Sequence, residues 1–283
     1  MYNKRNQKTD RQGRLLILSV IIILIIGGAV SFFVVRSNSA DSQNNVIYTK
    51  DKSITDYDTA KKAVSDYAEK HNLSIDDYPE SLIELLGRNS ETKDFVLSYP
   101  EEKDKDHKVD FSEYRNCKSV PLFMQWDKRW GYKMYGDDVA GLTACGPVCL
   151  SMVSVYLLQD TKYSPDYMID WAKKNGYCVK GHGSLWTLIS EGGKKLGLDV
   201  TEIPLDEQRI INNLEVGNPI ICIMGPGAFT STGHFIVLTG YENGKIKIND
   251  PNSYSNSEKE WEYDDIYDQI NNLWVLRNEG QQG

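Results

Sequence analysis

The chain is short of histidine and of positive charge, and each shortage narrows what it can be. Of its 283 residues four are histidine, and 32 lysines and arginines face 40 aspartates and glutamates, for a formal net charge of −8. No basic stripe lies beyond the N-terminal tail, and an acidic surface repels a phosphate backbone, so nucleic acid is not an expected partner. No internal repeat appears at any period. No second pair of cysteines at metal-ligand spacing accompanies Cys145 and Cys149, which leaves a zinc site on those two and His234 short of ligands. Neither a metal nor a cofactor is expected. The cysteines number five (Cys117, Cys145, Cys149, Cys178 and Cys222). An odd count leaves at least one thiol free even where disulfides form.

Long apolar runs are absent as well, with one exception. Residues 15–35 are all apolar, Gly or Ser, bounded by Arg14 and Arg36. At about 1.5 Å per residue such a helix spans a hydrocarbon core of roughly 30 Å. Lys4, Arg5, Lys8, Arg11 and Arg14 precede it against the single acid Asp10, while polar and acidic residues follow. The positive-inside rule then predicts a single-pass anchor with a cytoplasmic N-terminus and the remainder outside. A cleaved secretory signal ending near Ser39-Ala40 is the competing reading, in which case the remainder is secreted, although the run exceeds a usual signal core.

The pattern beyond Arg36 divides the chain. Residues 1–14 read as a cytoplasmic tail, 15–35 as the membrane helix, 36–52 as a polar linker, 53–116 as a helical stalk, 117–278 as the main domain and 279–283 as a tail. In the stalk, helices are predicted between Tyr57 and His71, from near Pro79 through Leu82, Ile83, Leu85 and Leu86, and around Phe95 to Leu97, stopping before Pro100. From Val120 onward helix and strand signals alternate, which predicts an α/β or α+β domain. A long apolar helix starts at Cys145, with others at residues 167–174, 185–196 and 206–214. Strands are predicted at 219–224, 234–241, 245–249 and 273–277.

A cysteine nucleophile needs a thiolate near neutral pH, which a free thiol supplies only in small part; a helix N-terminus and a nearby imidazolium both raise that fraction. Cys145-Gly146-Pro147 suits a helix start and gives Cys145 the first device. The same residue also reads as a small buried thiol beside the helix-packing residues Ala144 and Cys149. Among the histidines, His71 and His107 fall in the stalk and in the charge run 101–110, and His182 lies in a Gly-rich loop without an obvious partner. His234 follows the loop Gly225 to Gly233 and opens an apolar strand, as a base beside a cleft or as a structural histidine. Asp250, at the end of the next strand, can orient it, or can merely cap the turn at Pro251-Asn252. Register decides between these roles. A two-residue turn at Asn243-Gly244 sets Asp250 opposite Val237, away from His234; a three-residue loop with Gly244 as a bulge sets it opposite Ile236, on the His234 side. The bulged loop is therefore expected. An oxyanion needs donors, and the Cys145 N–H with the Gln125 side-chain amide are the candidates.

Four ordered segments carry a family resemblance: Val120-Pro-Leu-Phe-Met-Gln-Trp-Asp-Lys-Arg-Trp-Gly, Ala144-Cys-Gly-Pro-Val-Cys-Leu-Ser-Met, Gly225-Pro-Gly-Ala-Phe-Thr-Ser-Thr-Gly-His-Phe-Ile-Val-Leu, and Asn249-Asp-Pro-Asn-Ser. Together they resemble cysteine peptidase family 39, the bacteriocin-processing peptidases and their stand-alone relatives. The resemblance implies an α+β, papain-like fold, a Cys145, His234 and Asp250 triad, Gln125 in the oxyanion hole, and a peptide or protein substrate. A cell-wall-directed amidase or transpeptidase on a related fold shares this chemistry and differs in the acyl group accepted. A catalytically dead peptide-binding module is the reading from another class.

Overall fold

The computed structural model describes residues 48–181 and 183–281, which form one compact unit. The apolar segment 15–35 and His182 lie outside the described residues. No helix among the described residues is long and apolar enough to cross a membrane.

The N-terminal part is helical. Helix α1 (Tyr57–His71) starts in a capping box: the Asp56 carboxylate accepts from the Thr59 N–H while the Thr59 hydroxyl accepts from the Asp56 N–H. It ends at Asn72 in the left-handed conformation, φ 57°. Helices α2 (Glu80–Arg88) and α3 (Lys93–Leu97) bury the apolar residues expected of them. Helix α3 ends before Pro100, as expected, and a further turn follows it. A short helix α4 (Tyr99–Glu102) takes Pro100 in its first turn, where a missing N–H costs nothing. These helices share one core with Met124, Trp126, Tyr132 and Val139. The segment expected as a stalk is thus packed into the body that follows it.

Two short strands, β1 (Met134–Tyr135) and β2 (Asp138–Val139), and helix α5 (Ala140–Thr143) lead into helix α6 (Cys145–Leu158). Helix α6 is apolar nearly all round and accordingly almost wholly buried. Helix α7 (Pro165–Lys174) and the two-stranded pair β3 (Cys178–Val179) and β4 (Gly183–Ser184) follow. The helix expected at 185–196 is shorter. The Leu185 N–H is committed to the Tyr177 carbonyl, and helical turns begin only at Leu188–Gly192, in π form, before α8 (Gly193–Lys195).

The sheet is antiparallel throughout, in the order β5 (Leu198–Glu202), β9 (Ile270–Asn278), β6 (Ile220–Met224), β7 (His234–Glu242), β8 (Lys245–Asn249). Strand β5 had not been expected. Alternation splits the buried residues between the faces: Ile221, Ile223, Phe235 and Val237 join the core of α6, whereas Ile220, Cys222, Ile236 and Leu238 face helix α9 (Glu207–Glu215) through Ile210 and Leu214. This arrangement, an N-terminal cysteine-bearing helix against a C-terminal antiparallel sheet, is the mixed α+β fold expected.

The β7–β8 connection corrects one expectation. The turn is the tight one: Glu242 pairs with Lys245, and Asn243 and Gly244 both have positive φ (54° and 80°), as a type I′ turn requires. The extra residue lies inside β7 instead. Gly240 pairs with Lys247 but Leu238 with Ile248, so Thr239 is bulged out of the ladder. Below the bulge Val237 pairs with Asn249, and the next step sets Asp250 opposite Ile236. A bulge at a different place restores the parity that the expected loop would have given.

Candidate active site

Cys145 is the first residue of α6, and its N-cap is Ala144, which offers no side-chain oxygen to the first turn. The opening N–H groups are therefore free of a cap and available to an anion. Gly146 is needed at the second position for space. A Cβ there would lie 2.8 Å from Ser184 Oγ and 2.9 Å from Ser184 Cβ, so only glycine lets β4 pack against the turn that carries the thiol.

Across from Cys145, β7 begins with His234, which is buried. His234 Nε2 and Asp250 Oδ1 are 2.7 Å apart, and His234 lines the same cleft as Cys145, near enough for each group to shift the titration of the other. Asp250 is 1% exposed, and every hydrogen bond it makes is local or to His234. Its Oδ1 also accepts from the Asn252 N–H (2.8 Å), its Oδ2 from Asn256 Nδ2 (2.8 Å), and its own N–H donates to Ser257 Oγ (2.9 Å). Asp250 thus hydrogen-bonds His234 and also accepts from the turn at Asn252. Asn256 and Ser257 sit on a short helix, α10 (Tyr254–Glu258), that no sequence signal had announced.

Electrostatics of the trio follow from burial and proximity. Burial alone opposes ionising Cys145, but the hydrogen bond and charge of His234, with the N–H groups of Phe235 and Gly146, outweigh it and hold the thiol below its ordinary range. Burial likewise opposes the imidazolium, yet Asp250 and the Cys145 thiolate raise His234 well above its ordinary range. Each shift favours the same pair of charges, a thiolate beside an imidazolium. Cys149, one turn further along α6, is pushed the other way by burial in apolar surroundings and by the Cys145 charge; its thiol donates to the Phe235 carbonyl. The two thiols of the same helix are thus pushed in opposite directions.

The cleft over the pair encloses about 780 Å³ and is lined by Tyr135, Asp138, Cys145, Ser184, Trp186 and His234, among others. Tyr135 and Ser184 share a hydrogen bond (2.8 Å) at its edge. Gln125 is buried but does not line the cleft; its Nε2 donates to the Gly141 carbonyl (2.8 Å), on α5 just before Cys145. Its Oε1 has no partner. His71 stacks on Tyr67 and faces Glu101, and His107 faces Glu102; neither approaches the cleft. All five cysteines carry free thiols. Among the described residues no group of three or more His, Cys, Asp or Glu side chains is arranged to hold a metal.

The profile of the Peptidase_C39 like family matches residues 117–280. The chain belongs to this family. No curated protein matches the chain. Among solved structures, the C39-like chain is similar to the peptidase domain of Streptococcus ComA, described as a bi-functional ABC transporter involved in a quorum sensing pathway. That likeness is at 20% identity and TM-score 0.39, covering 56% of this chain and 99% of that one. It is also similar to a putative C39-like peptidase from Bacillus anthracis, at 13% identity and TM-score 0.37, covering 56% and 94%. Within the C39-like domain Cys145, His234 and Asp250 come together, Gln125 stands behind the helix start, and Asn256, Ser257 and the Phe235 N–H complete the set. Only the last three escaped sequence reasoning, since nothing local distinguishes them.

Proposed function

We propose that this chain is a cysteine peptidase in which Cys145 is the nucleophile, His234 the acid and base, and Asp250 the group that orients His234. The observation that carries this reading is the buried His234 to Asp250 hydrogen bond (2.7 Å), with His234 lining the same cleft as the Cys145 thiol at the start of α6. In the resting state the thiolate and imidazolium are paired. The thiolate attacks the peptide carbonyl carbon, a C–S bond forms, and the carbonyl π electrons move to oxygen. The Cys145 N–H is the donor assigned to that oxyanion, while Gln125, with its Nε2 on the Gly141 carbonyl, braces the segment that leads into Cys145. Collapse breaks the C–N bond, and His234 gives its proton to the departing amine. Water then loses a proton to His234, attacks the thioester carbonyl, and returns Cys145 as thiolate with a free carboxylate as product. Asp250 keeps one imidazole nitrogen protonated toward itself, so the other faces the sulfur throughout.

The apolar run 15–35, flanked by Arg14 and Arg36 with basic residues before it, supports the further reading that the domain is held on the outer face of a membrane. Expression of the full chain and protease shaving of intact cells tests this: loss of the domain into the medium fraction on shaving is expected, and full protection would overturn it. For the chemistry, the full chain is incubated with an unfolded protein such as reduced casein. Cleavage is expected from the wild type and not from Cys145→Ala, whose fold is retained; equal cleavage by both would refute the nucleophile.

A further inference from the structure

The helices before residue 117 lie outside the family match, yet they reach the residue that holds the base. Glu91 is a carboxylate 4% exposed, in a short turn between α2 and α3. A buried carboxylate is tolerated only where hydrogen bonds replace its water. Those of Glu91 all come from one place: the Tyr254 N–H (2.7 Å), the Ser255 N–H (3.0 Å) and the Ser255 hydroxyl, the opening residues of α10. No lysine or arginine pairs with it among the described residues. Helix α10 is only Tyr254–Glu258, too short to be stable alone, so this anchorage sets where it sits. Its Asn256 and Ser257 are the residues that hold the Asp250 carboxylate and N–H. Two neighbours act in the same direction. Asn89 Nδ2 donates to the Asn252 carbonyl (2.6 Å), which also accepts from Trp126 Nε1 (3.0 Å), and the Gln125 N–H donates to the Pro251 carbonyl (2.7 Å). On the other side of the cleft, Phe95 of α3 lies where a Cβ on Gly141 would be, at 2.6 Å, pressed against the segment that leads into Cys145.

We infer that Glu91 is a positioning residue for the active site: through α10 and Asn256 it fixes the Asp250 carboxylate on His234, which makes the segment before residue 117 a working part of the peptidase centre rather than a spacer. A spacer would require no buried polar contact with the catalytic loop. The carboxylate contacts nothing in the cleft, so its effect on chemistry runs through Asp250 alone. The inference rests on the cysteine peptidase reading above and adds to it a residue outside the family match.

The test uses the full chain and two probes. One is the second-order rate of iodoacetamide alkylation of Cys145 at neutral pH, read by intact mass; the other is the low-field proton resonance of the His234 to Asp250 hydrogen bond. The variants are Glu91→Gln, Asn256→Ala, the double variant and Asp250→Asn. Glu91→Gln keeps the volume but turns an amide N–H toward donors, so α10 shifts while the sheet stays folded. Alkylation slower by about tenfold, with the low-field resonance displaced or lost and the native circular dichroism kept, is the expected result; misplacing a supporting group by about 1 Å costs up to 10²-fold. Asn256→Ala should produce the same loss, and the double variant no more than either single one, because both act through one link. If Glu91→Gln unfolds the chain, Asn256→Ala at the far end of the link carries the test on its own. An unmoved resonance and wild-type alkylation in a folded Glu91→Gln or Asn256→Ala, while Asp250→Asn is slow, would overturn the inference and leave the peptidase reading intact. Should wild-type Cys145 react no faster than His234→Ala, the peptidase reading itself fails.

Discussion

At the scale of single residues the site works by opposing pushes. Burial disfavours both the thiolate and the imidazolium, and each charge is favoured by the other beside it, with Asp250 and two backbone N–H groups adding to the balance. A bell-shaped pH profile follows, with an acid limb where Cys145 gains its proton and an alkaline limb where His234 loses the proton owed to the leaving amine. Because His234 is raised above its ordinary range near 6.5, the alkaline limb lies well above that value. Asp250→Asn removes the carboxylate that raises His234, so the imidazolium loses its proton at lower pH and the alkaline limb moves toward neutrality. Casein cleavage measured from pH 5 to 10 checks this; an unmoved limb would contradict it. In His234→Ala the burial of Cys145 is opposed only by the Phe235 and Gly146 N–H groups, and the pH midpoint of alkylation is expected to rise above about 8.5, the ordinary thiol value. Cys145, His234 and Asp250 were legible in the sequence because residue type, helix start and strand edge coincide there. Asn256 was not, since an asparagine in a polar loop has no local mark of the carboxylate it will bind.

At the scale of elements, two local devices bring the triad into line. The bulge at Thr239 sets the side of the sheet on which Asp250 emerges. Deleting Thr239 removes only the unpaired residue and leaves Val237 on Asn249, with Asp250 still opposite Ile236; alkylation by iodoacetamide should then stay near the wild-type rate, and a fall to the level of Asp250→Asn would refute the register account. The sequence allowed the parity to be reasoned out but placed the extra residue at the turn, because Asn243-Gly244 fits either turn type while Thr239 looks like an ordinary strand residue. Gly146 is the second device. Gly146→Ala forces Ser184 away from the start of α6, at a cost of about 1–3 kcal/mol in an overpacked contact, readable as a lower urea midpoint. Strands with strong apolar runs (β6, β7, β9), the alternating strand β8 and the long helices were legible. Strand β5 and helix α10 were not, being short, polar and held by contacts distant in sequence, with Glu91 and Tyr254 separated by 163 positions.

At the scale of the whole molecule, the boundary drawn at residue 117 describes the family match better than it describes the packing. Met124, Trp126 and Tyr132 are buried against the preceding helices, and the Tyr132 hydroxyl donates to the Phe95 carbonyl (2.8 Å). A fragment starting at residue 117 would expose these aromatics and lose Glu91. It is expected to aggregate or to lose cooperative thermal unfolding; a stable, fully reactive fragment would contradict the account. Composition hid this, because a charge run at 101–110 looks like a linker whether or not the helices before it dock. The claim on which the rest depends is that Cys145 and His234 form an activated pair. Intact mass of the full chain after brief treatment with iodoacetamide at neutral pH, wild type beside His234→Ala, tests it most directly. The account predicts rapid single labelling at Cys145 that slows strongly without His234; slow labelling, equal in both and spread over several cysteines, would contradict it.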